Sequence, residues 1–225
     1  MPAVNINPHS VVLFQGDSIT DAARSRSDIG PNSPLGMGSG YTWLITERLL
    51  ARFSDRYLQI YNRGISGDRI QDMSRRWEGD TLRLMPEILS ILIGVNDTWN
   101  YLYLGIGSSP EGFHNIYHKL LEDTRQQLPD IQLILCDPFL LVTGQVTTDW
   151  LDDLSQRQSS VSELAREFEA VHVPFQAALD QQVAGGIPPH QLLEDGVHPT
   201  QKGHRILADC WLDAVGLNKK RDESL

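Results

Sequence analysis

The sequence predicts a three-layer α/β sandwich, in which helices cover both faces of a parallel β-sheet. Two observations favour this fold class. Short apolar segments rich in β-branched residues alternate with helical patterns along the chain, and the segment EILSILIG is apolar almost throughout. Nearly continuous apolar strands are typical of parallel sheets that are covered on both faces. Strand–helix alternation with right-handed crossovers places a helical layer on each face.

Five apolar segments are predicted to be the strands, and four longer segments the main helices. The strands are Val11–Phe14, Leu58–Tyr61, Ile88–Ile93, Ile131–Cys136 and Val171–Val173. The helical patterns cover residues 41–53, 111–128, 149–171 and 199–215. In the third of these, apolar residues recur at the spacing of an amphipathic helix. A loop rich in Gly, Pro and Ser, Asp28–Gly40, is expected near the edge of the sheet.

Length and composition predict one globular domain. The chain has 225 residues, of which 40% are hydrophobic and 21% are charged, as is usual for soluble proteins. There is no internal repeat and no domain-sized change of composition. Residues 1–225 are therefore interpreted as a single domain, with its core at roughly 10–216 and a polar tail at 217–225.

The net charge of −10, from 29 acidic and 19 basic residues, argues against nucleic acid or an anionic membrane as the main partner, since both require clustered Lys and Arg. No segment approaches the ~18 apolar residues of a membrane span. The first residues lack the basic and apolar regions of a secretory signal, and Cys136 and Cys210 form no CxxC motif. A cytoplasmic location is expected.

Polar sequences that contain glycine follow three of the predicted strands and precede the last helix. They are Gly16–Ser18, Asn62–Asp68, Gly94–Asp97 and Asp195–Thr200. Ligands of parallel α/β sheets bind beyond the carboxyl ends of the strands. We therefore expect these four sequences to meet at one edge of the sheet.

Ser18 has two interpretations from its local sequence. Residues Ser18–Asp21 match the capping-box pattern S/T-x-x-D/E, in which the serine would cap a short helix. Alternatively, Ser18 is a nucleophile, which requires a general base, a group that orients the base, and donors for an oxyanion.

Asp195 and His198 are candidates for the orienting group and the base. Their spacing of three residues lets the carboxylate reach Nδ1–H of the imidazole and leaves Nε2 to face a serine. Pro199 favours a helix start directly after His198. The competing interpretation is a surface turn, for which Asp-Gly is common.

Asn96 and Gly67 are candidate oxyanion donors. The Asn96 amide can donate N–H groups without adding charge, and Gly67 can expose its backbone N–H in a tight turn. In the competing interpretation, Asn96 only ties its loop together and Gly67 only permits the turn.

A metal site would recruit Asp17, Asp97, Asp195 and His198, because carboxylates bind hard cations. No H-x-x-x-H motif or paired-carboxylate motif accompanies them, and GMGSG lacks the spacing of a phosphate-binding loop. No metal and no cofactor are predicted.

The motifs GDSIT, NRGISGD, GVND and DGVHP, in this order, resemble the GDSL/SGNH hydrolase superfamily. The resemblance spans Gln15 to about Val215. It implies a flavodoxin-like α/β/α sandwich around a five-stranded parallel sheet, and an esterase that works through a covalent acyl-enzyme.

The resemblance also implies roles for five residues. Ser18 becomes the nucleophile, His198 the base and Asp195 its orienting partner. The oxyanion hole is formed by the backbone N–H groups of Ser18 and Gly67 and by the Asn96 side chain.

A closer resemblance is to bacterial acetylxylan esterases of the superfamily, through GDSITDAARSR, LGMGSGY, YNRGISGDRI, RRWEGD and IGVNDTWN. It implies acetylated xylo-oligosaccharides as substrates and assembly into homo-oligomers. One departure is LEDGVHP, in which Leu193-Glu194 stands where an aromatic residue is expected just before the aspartate.

The predicted function is the removal of acetyl groups from a carbohydrate. Trp99 and Tyr101 are candidate sugar contacts, although they could instead pack in the core or at a subunit interface. Asp17 is a third candidate contact, and is also expected to secure the turn before Ser18. A lysophospholipase or thioesterase would share the same catalytic residues. Two further hypotheses are a carbohydrate-binding protein without activity and a metal-dependent phosphoesterase.

Overall fold

A parallel β-sheet lies at the centre of the molecule, in a computed structural model that describes residues 4–218. Within these residues the sheet has five strands, in the order β2-β1-β3-β4-β5. They are β1 Val11–Gly16, β2 Gln59–Asn62, β3 Ile88–Leu92, β4 Gln132–Cys136 and β5 Val171–Val173. The five predicted strands are confirmed, with ends that differ by at most two residues. Residues 219–225 of the predicted polar tail lie outside the described residues.

Ten α-helices surround the sheet within residues 4–218. They are α1 Ser18–Asp21, α2 Pro34–Met37, α3 Tyr41–Arg52, α4 Ile70–Arg75, α5 Trp77–Asp80, α6 Val95–Trp99, α7 Pro110–Gln127, α8 Trp150–Glu167, α9 Phe175–Ala184 and α10 Gln201–Ala214. A π-helical turn, Asn100–Leu104, follows α6, and 3₁₀ turns occur at Leu82–Leu84 and Pro189–Gln191. No helix in the described part of the chain is long and apolar enough to cross a bilayer.

The four predicted helices are confirmed as α3, α7, α8 and α10. The short helices other than α1 were not predicted, because four to six residues are too few to show an apolar period. Helix α9 is longer, but it buries only Phe175 and Leu179, so its apolar pattern is weak.

The two faces of the sheet bury different helices, which confirms the three-layer sandwich. Val12 and Phe14 of β1 join one apolar cluster with α3, α9 and α10, whereas Leu13 joins the other cluster with α4, α5, α7 and α8. Successive side chains of a strand point to opposite faces, so β1, β2, β3 and β4 each contribute to both clusters.

The loop Asp28–Gly40 covers the open edge of the sheet at β2. Asn32 accepts a hydrogen bond from Ile60 N–H and donates to the Ile60 and Leu58 carbonyls, at 2.7–2.9 Å. These bonds satisfy backbone groups that an edge strand would otherwise leave unpaired. The predicted loop is thus at the sheet edge, although it also contains α2.

A buried arginine links α8 to the segment that follows β3. Arg157 is completely buried, and its guanidinium donates two hydrogen bonds to Asp153, at 2.7 and 3.2 Å. It also donates to the Thr98 hydroxyl in α6 and to the Ser108 carbonyl, at 3.1 and 3.0 Å. The ion pair therefore holds α6 and the segment after it against α8.

We expect Arg157→Met to lower the free energy of unfolding by about 3–5 kcal/mol, because Asp153 would be left buried without its partner. Urea denaturation followed by circular dichroism measures the change. The double variant Arg157→Met/Asp153→Leu should recover most of the loss, and Arg166→Met, at an exposed position of the same helix, should change stability by less than about 0.5 kcal/mol. Equal losses in the single and double variants would contradict this account.

Candidate active site

The carboxyl ends of β1, β2 and β3 lie side by side at one edge of the sheet. In the strand register Phe14 lies beside Asn62, and Gly16 lies beside Leu92. The loops that follow these strands therefore emerge next to one another. Three of the four polar sequences predicted to meet at one edge are those loops.

Asp17 caps helix α1, and Ser18 is the first residue of that helix. Asp17 Oδ1 accepts a hydrogen bond from Ile19 N–H at 3.0 Å. The prediction of a capping box with Ser18 as the cap is therefore wrong, because the cap lies one residue earlier. Asp17 is 1% exposed, so it secures the turn as expected. The candidate substrate contact at Asp17 is wrong, since its carboxylate faces the interior.

His198 lies between Ser18 and Asp195. Its Nε2 is 2.9 Å from Ser18 Oγ, and its Nδ1 is 2.7 Å from Asp195 Oδ2. The other carboxylate oxygen accepts backbone N–H groups from Val197 and His198, at 2.9 and 2.8 Å. The tautomer that fits these partners carries its proton on Nδ1, so that Nε2 accepts the serine hydroxyl. The structure thus brings the three residues together in the expected order.

A tight loop holds Asp195 and His198 near each other. Glu194 N–H donates to the His198 carbonyl at 2.8 Å, and Gly196 between them has a φ of +96°. A Cβ on Gly196 would lie 2.5 Å from the Thr143 carbonyl oxygen. Position 196 therefore requires glycine both for its backbone conformation and for space.

Helix α10 begins at Gln201, two residues after the predicted start at Pro199. Pro199 pairs with Leu193 in an antiparallel bridge across the loop. Thr200 is the cap of the helix, and its hydroxyl accepts Gly203 N–H at 3.1 Å. The predicted start is wrong because this bridge holds Pro199 in the loop.

The three predicted oxyanion donors each keep an N–H group that no acceptor within residues 4–218 takes. One N–H of the Asn96 amide donates to the Asp68 carbonyl at 3.1 Å, which leaves the second. The backbone N–H groups of Ser18 and Gly67 donate to no protein atom in the described chain. Gly67 has a φ of +87° and open space around it, so glycine serves its conformation there. All three groups are available to a ligand.

Arg76 joins the end of β1 to the loop after β2, and it was not among the predicted site residues. Its guanidinium donates hydrogen bonds of 2.7–3.2 Å to Gln15, Gly16, Arg63, Asp68 and Asp80. The motif RRWEGD contains Arg76, but nothing in that motif shows which groups the side chain reaches. Only the fold brings its acceptors together.

A cavity of about 200 Å³ opens beside His198, and we call it the tryptophan cavity. Its lining residues are Val95, Asn96, Trp99, Gln145, Val146, Trp150, Asp195, Val197 and His198. Trp99 is thus close to the site, as predicted. Tyr101 is absent from the lining, and its ring lies 5.9 Å from the Arg157 guanidinium. Gln145, Val146 and Trp150 were missed, because the segment after β4 carries no motif.

The carboxylates near the site have opposite electrostatic environments. Partial burial alone would raise the pKa of Asp195, but hydrogen bonds from His198 and Val197 outweigh it and lower that pKa. Burial raises the pKa of Asp17 to about 7, against the weaker effect of the Ile19 N–H bond. Asp195 is therefore an ionised partner for His198 at neutral pH, whereas the charge on Asp17 is penalised.

The described residues do not form a metal site. No group of three His, Cys, Asp or Glu side chains among them is placed to hold an ion. Asp17 caps α1, Asp97 accepts the Ile70 N–H at 3.1 and 3.2 Å, and Asp195 binds His198.

One protein-family model matches most of the chain. The model of the GDSL-like lipase/acylhydrolase family matches residues 14–206. The chain belongs to this family. It is a carboxylic ester hydrolase.

Relatives of this acylhydrolase match it over nearly its whole length. An acetylxylan esterase of Geobacillus stearothermophilus is 32% identical over 207 residues, which are 91% of this chain and 93% of that protein. A crystal structure of a GDSL-like protein from Parabacteroides merdae is 39% identical, with a TM-score of 0.92 over 96% of this chain and all of that one.

A structure of an acetyl-xylooligosaccharide esterase from Geobacillus is 30% identical, with a TM-score of 0.86 over 97% of this chain and all of that one. Related structures of that esterase are catalytic mutants with a histidine, an aspartate or a serine replaced by alanine.

We expect Asp17→Asn to reduce the loss of stability between pH 5 and pH 8. The pKa of Asp17 is about 7 in the folded chain against an ordinary value of 3.8, so the folded state binds more protons in this interval and stability falls as pH rises. Asparagine keeps the capping oxygen but does not titrate.

Denaturant titrations at the two pH values measure the difference, which should shrink by at least about 1 kcal/mol. Asp130→Asn, at an exposed position, is the matched control and should behave like the parent. The same pH dependence in the parent and in Asp17→Asn would contradict the buried-carboxyl account.

Proposed function

We propose that the chain removes acetyl or similarly small acyl groups from carbohydrates through an acyl-enzyme on Ser18. The observation that supports this proposal best is the hydrogen-bonded series Ser18–His198–Asp195 beside a small cavity. Two hydrogen bonds orient the imidazole between a hydroxyl and a carboxylate, as nucleophilic acyl transfer requires.

In the first step, His198 Nε2 removes the Ser18 proton while Oγ attacks the ester carbonyl carbon. The carbonyl electron pair moves to oxygen, and the imidazolium that forms is stabilised by Asp195. When the carbonyl re-forms, the bond to the alcohol breaks and His198 gives its proton to the leaving oxygen. The products are the free alcohol and an acyl ester on Ser18.

In the second step, water replaces the alcohol. His198 takes a proton from water as it attacks the acyl carbon, and then returns that proton to Ser18 Oγ as the acyl bond breaks. The acid leaves and the hydroxyl is restored. The step consumes one water and needs no group beyond these residues.

The oxyanion of both steps is proposed to bind the free N–H groups of Ser18, Gly67 and Asn96. The Asn96 amide is oriented by its bond to the Asp68 carbonyl. Preorganised donors of this kind contribute roughly 2.7–4 kcal/mol each to lowering the barrier.

The size of the tryptophan cavity favours a short acyl group. Its volume of about 200 Å³ lies below the ~300 Å³ at which pockets for drug-sized ligands begin. Valine side chains and the rings of Trp99 and Trp150 make its wall mainly apolar. We propose that the acyl methyl contacts this wall.

Two observations support a carbohydrate as the alcohol part of the ester: the activity of a relative, and the polar residues that lie near Ser18. The acetylxylan esterase relative is 32% identical over nearly the whole chain. Polar side chains, among them Arg24, Arg26 and Ser66, line a second cavity together with Ser18. Cytoplasmic location and homo-oligomer formation stay predictions.

The central test is acetate release from acetylated xylo-oligosaccharides. We expect release by the parent and a kcat at least about 10⁴-fold lower for Ser18→Ala, because the variant lacks the nucleophile. Ser159→Ala removes an exposed hydroxyl from α8 and should retain the activity of the parent. Equal rates for Ser18→Ala and the parent would contradict the assignment.

Acyl-chain preference tests the role of the tryptophan cavity. Trp99→Ala should raise the ratio of kcat/KM for p-nitrophenyl octanoate to that for the acetate by about tenfold, because the enlarged cavity buries additional methylenes. Tyr57→Ala removes an exposed ring before β2 and should leave the ratio unchanged. If the parent already turned over octanoate faster than acetate, the substrate would be a long-chain ester.

A further inference from the structure

A second cavity, of about 570 Å³, adjoins Ser18 and His198. We call it the arginine cavity, after Arg24 and Arg26 in its wall. Asp21, Ser66 and His204 also line it. It is larger than the tryptophan cavity, and it has two arginines in its wall. His198 borders both cavities, so a bound ester would place one part in each of them.

Arg24 has hydrogen-bonding capacity that the described protein does not use. Its Nε–H donates to the Gly64 carbonyl at 2.8 Å, and its two terminal nitrogens donate to no atom within residues 4–218. The side chain is half-buried, and burial lowers its pKa, an effect that the nearby guanidinium groups of Arg63 and Arg26 increase and Asp21 opposes. A bound anion would accept hydrogen bonds from the unused N–H groups and would stabilise the partly buried positive charge of Arg24.

The carboxylate of Asp21, in the wall of the arginine cavity, already accepts three hydrogen bonds from neighbouring residues. Asp21 Oδ2 accepts from the Arg26 guanidinium and from the backbone N–H of Ser66, at 3.0 and 3.1 Å, and Oδ1 accepts from the backbone N–H of Arg24 at 3.2 Å. Burial lowers the pKa of His204 to about 4, so His204 is neutral at pH 7. Two arginines against one aspartate leave a local positive charge in a chain whose net charge is −10.

We propose that the arginine cavity binds an anionic substituent of the alcohol, so that the preferred substrates are acetylated sugars that carry a carboxylate or a phosphate. This inference rests on the proposed function, because it assigns the alcohol of the ester to this cavity. The tryptophan cavity is small and has the rings of Trp99 and Trp150 in its wall, which suits the acyl group. The larger cavity faces both Ser18 and His198, where the leaving oxygen receives its proton. Paired guanidinium groups recognise carboxylates and phosphates through charge-assisted hydrogen bonds.

The test compares three acetylated methyl glycosides: a glucuronoside, its uncharged carboxamide, and a glucoside 6-phosphate. The glucuronoside and the carboxamide are nearly isosteric and differ in charge. We expect the parent to favour at least one anionic ester over the carboxamide by about tenfold in kcat/KM. Whichever anionic ester is preferred identifies the substituent. The preference should fall when NaCl is raised to about 0.5 M, because salt screens the exposed charge of Arg26.

Arg24→Gln and Arg26→Gln should each reduce the anion preference, by about tenfold for the half-buried Arg24. Arg26 is 56% exposed, so its variant remains informative if Arg24→Gln folds poorly. Arg83→Gln, which removes a 75% exposed arginine just before β3, is the charge-matched control and should keep the preference of the parent.

Equal kcat/KM for all three esters in the parent would overturn the inference and leave the proposed function intact. A preference that survives in both arginine variants would also overturn it. Failure to hydrolyse any of the three esters, the uncharged carboxamide included, would contradict the proposed function itself and the inference that rests on it.

Discussion

The guanidinium of Arg76 is the interaction on which the geometry of the site depends. It donates to backbone or side-chain groups at the end of β1 and in the loop after β2. The first of these segments leads into Ser18, and the second carries Gly67. Asn96 is connected to the same loop through the Asp68 carbonyl. One partly buried cation therefore links the segments that carry the proposed nucleophile and the proposed oxyanion donors, which follow three different strands.

Two carboxylates near the site, Asp195 and Asp17, lie in different electrostatic environments. Asp195 is partly exposed and receives three hydrogen bonds, so it stays ionised beside His198. Asp17 is buried immediately before Ser18, and its second oxygen has no hydrogen-bond partner among the described residues. A charge at Asp17 would compete with Asp195 for the imidazolium, and burial disfavours that charge. The same residue type thus serves as an electrostatic partner at one position and as a helix cap at the other.

Much of the fold and part of the site were predictable because their causes are local. Strands β1 to β5 followed from apolar segments, and the loop containing Asp195, Gly196 and His198 followed from a short motif whose glycine is required by its φ. Ser18 was ambiguous, because the capping-box pattern describes a helix start without saying which residue is the cap. The cap proved to be Asp17, since its carboxylate reaches Ile19 N–H, and this leaves the Ser18 hydroxyl for His198.

The sequence by itself determined the fold class, the family and which polar segments meet at one edge of the sheet, because apolar periodicity and motif order are properties of the chain. Tertiary structure decided what depends on approach between distant segments. It made Arg76 a connection among loops and brought Trp150 from α8 to the cavity beside His198. It also left the half-buried guanidinium of Arg24 with no carboxylate partner among residues 4–218. None of these follows from local sequence, because the energy of a hydrogen bond or an apolar contact depends on distances that only the folded chain sets.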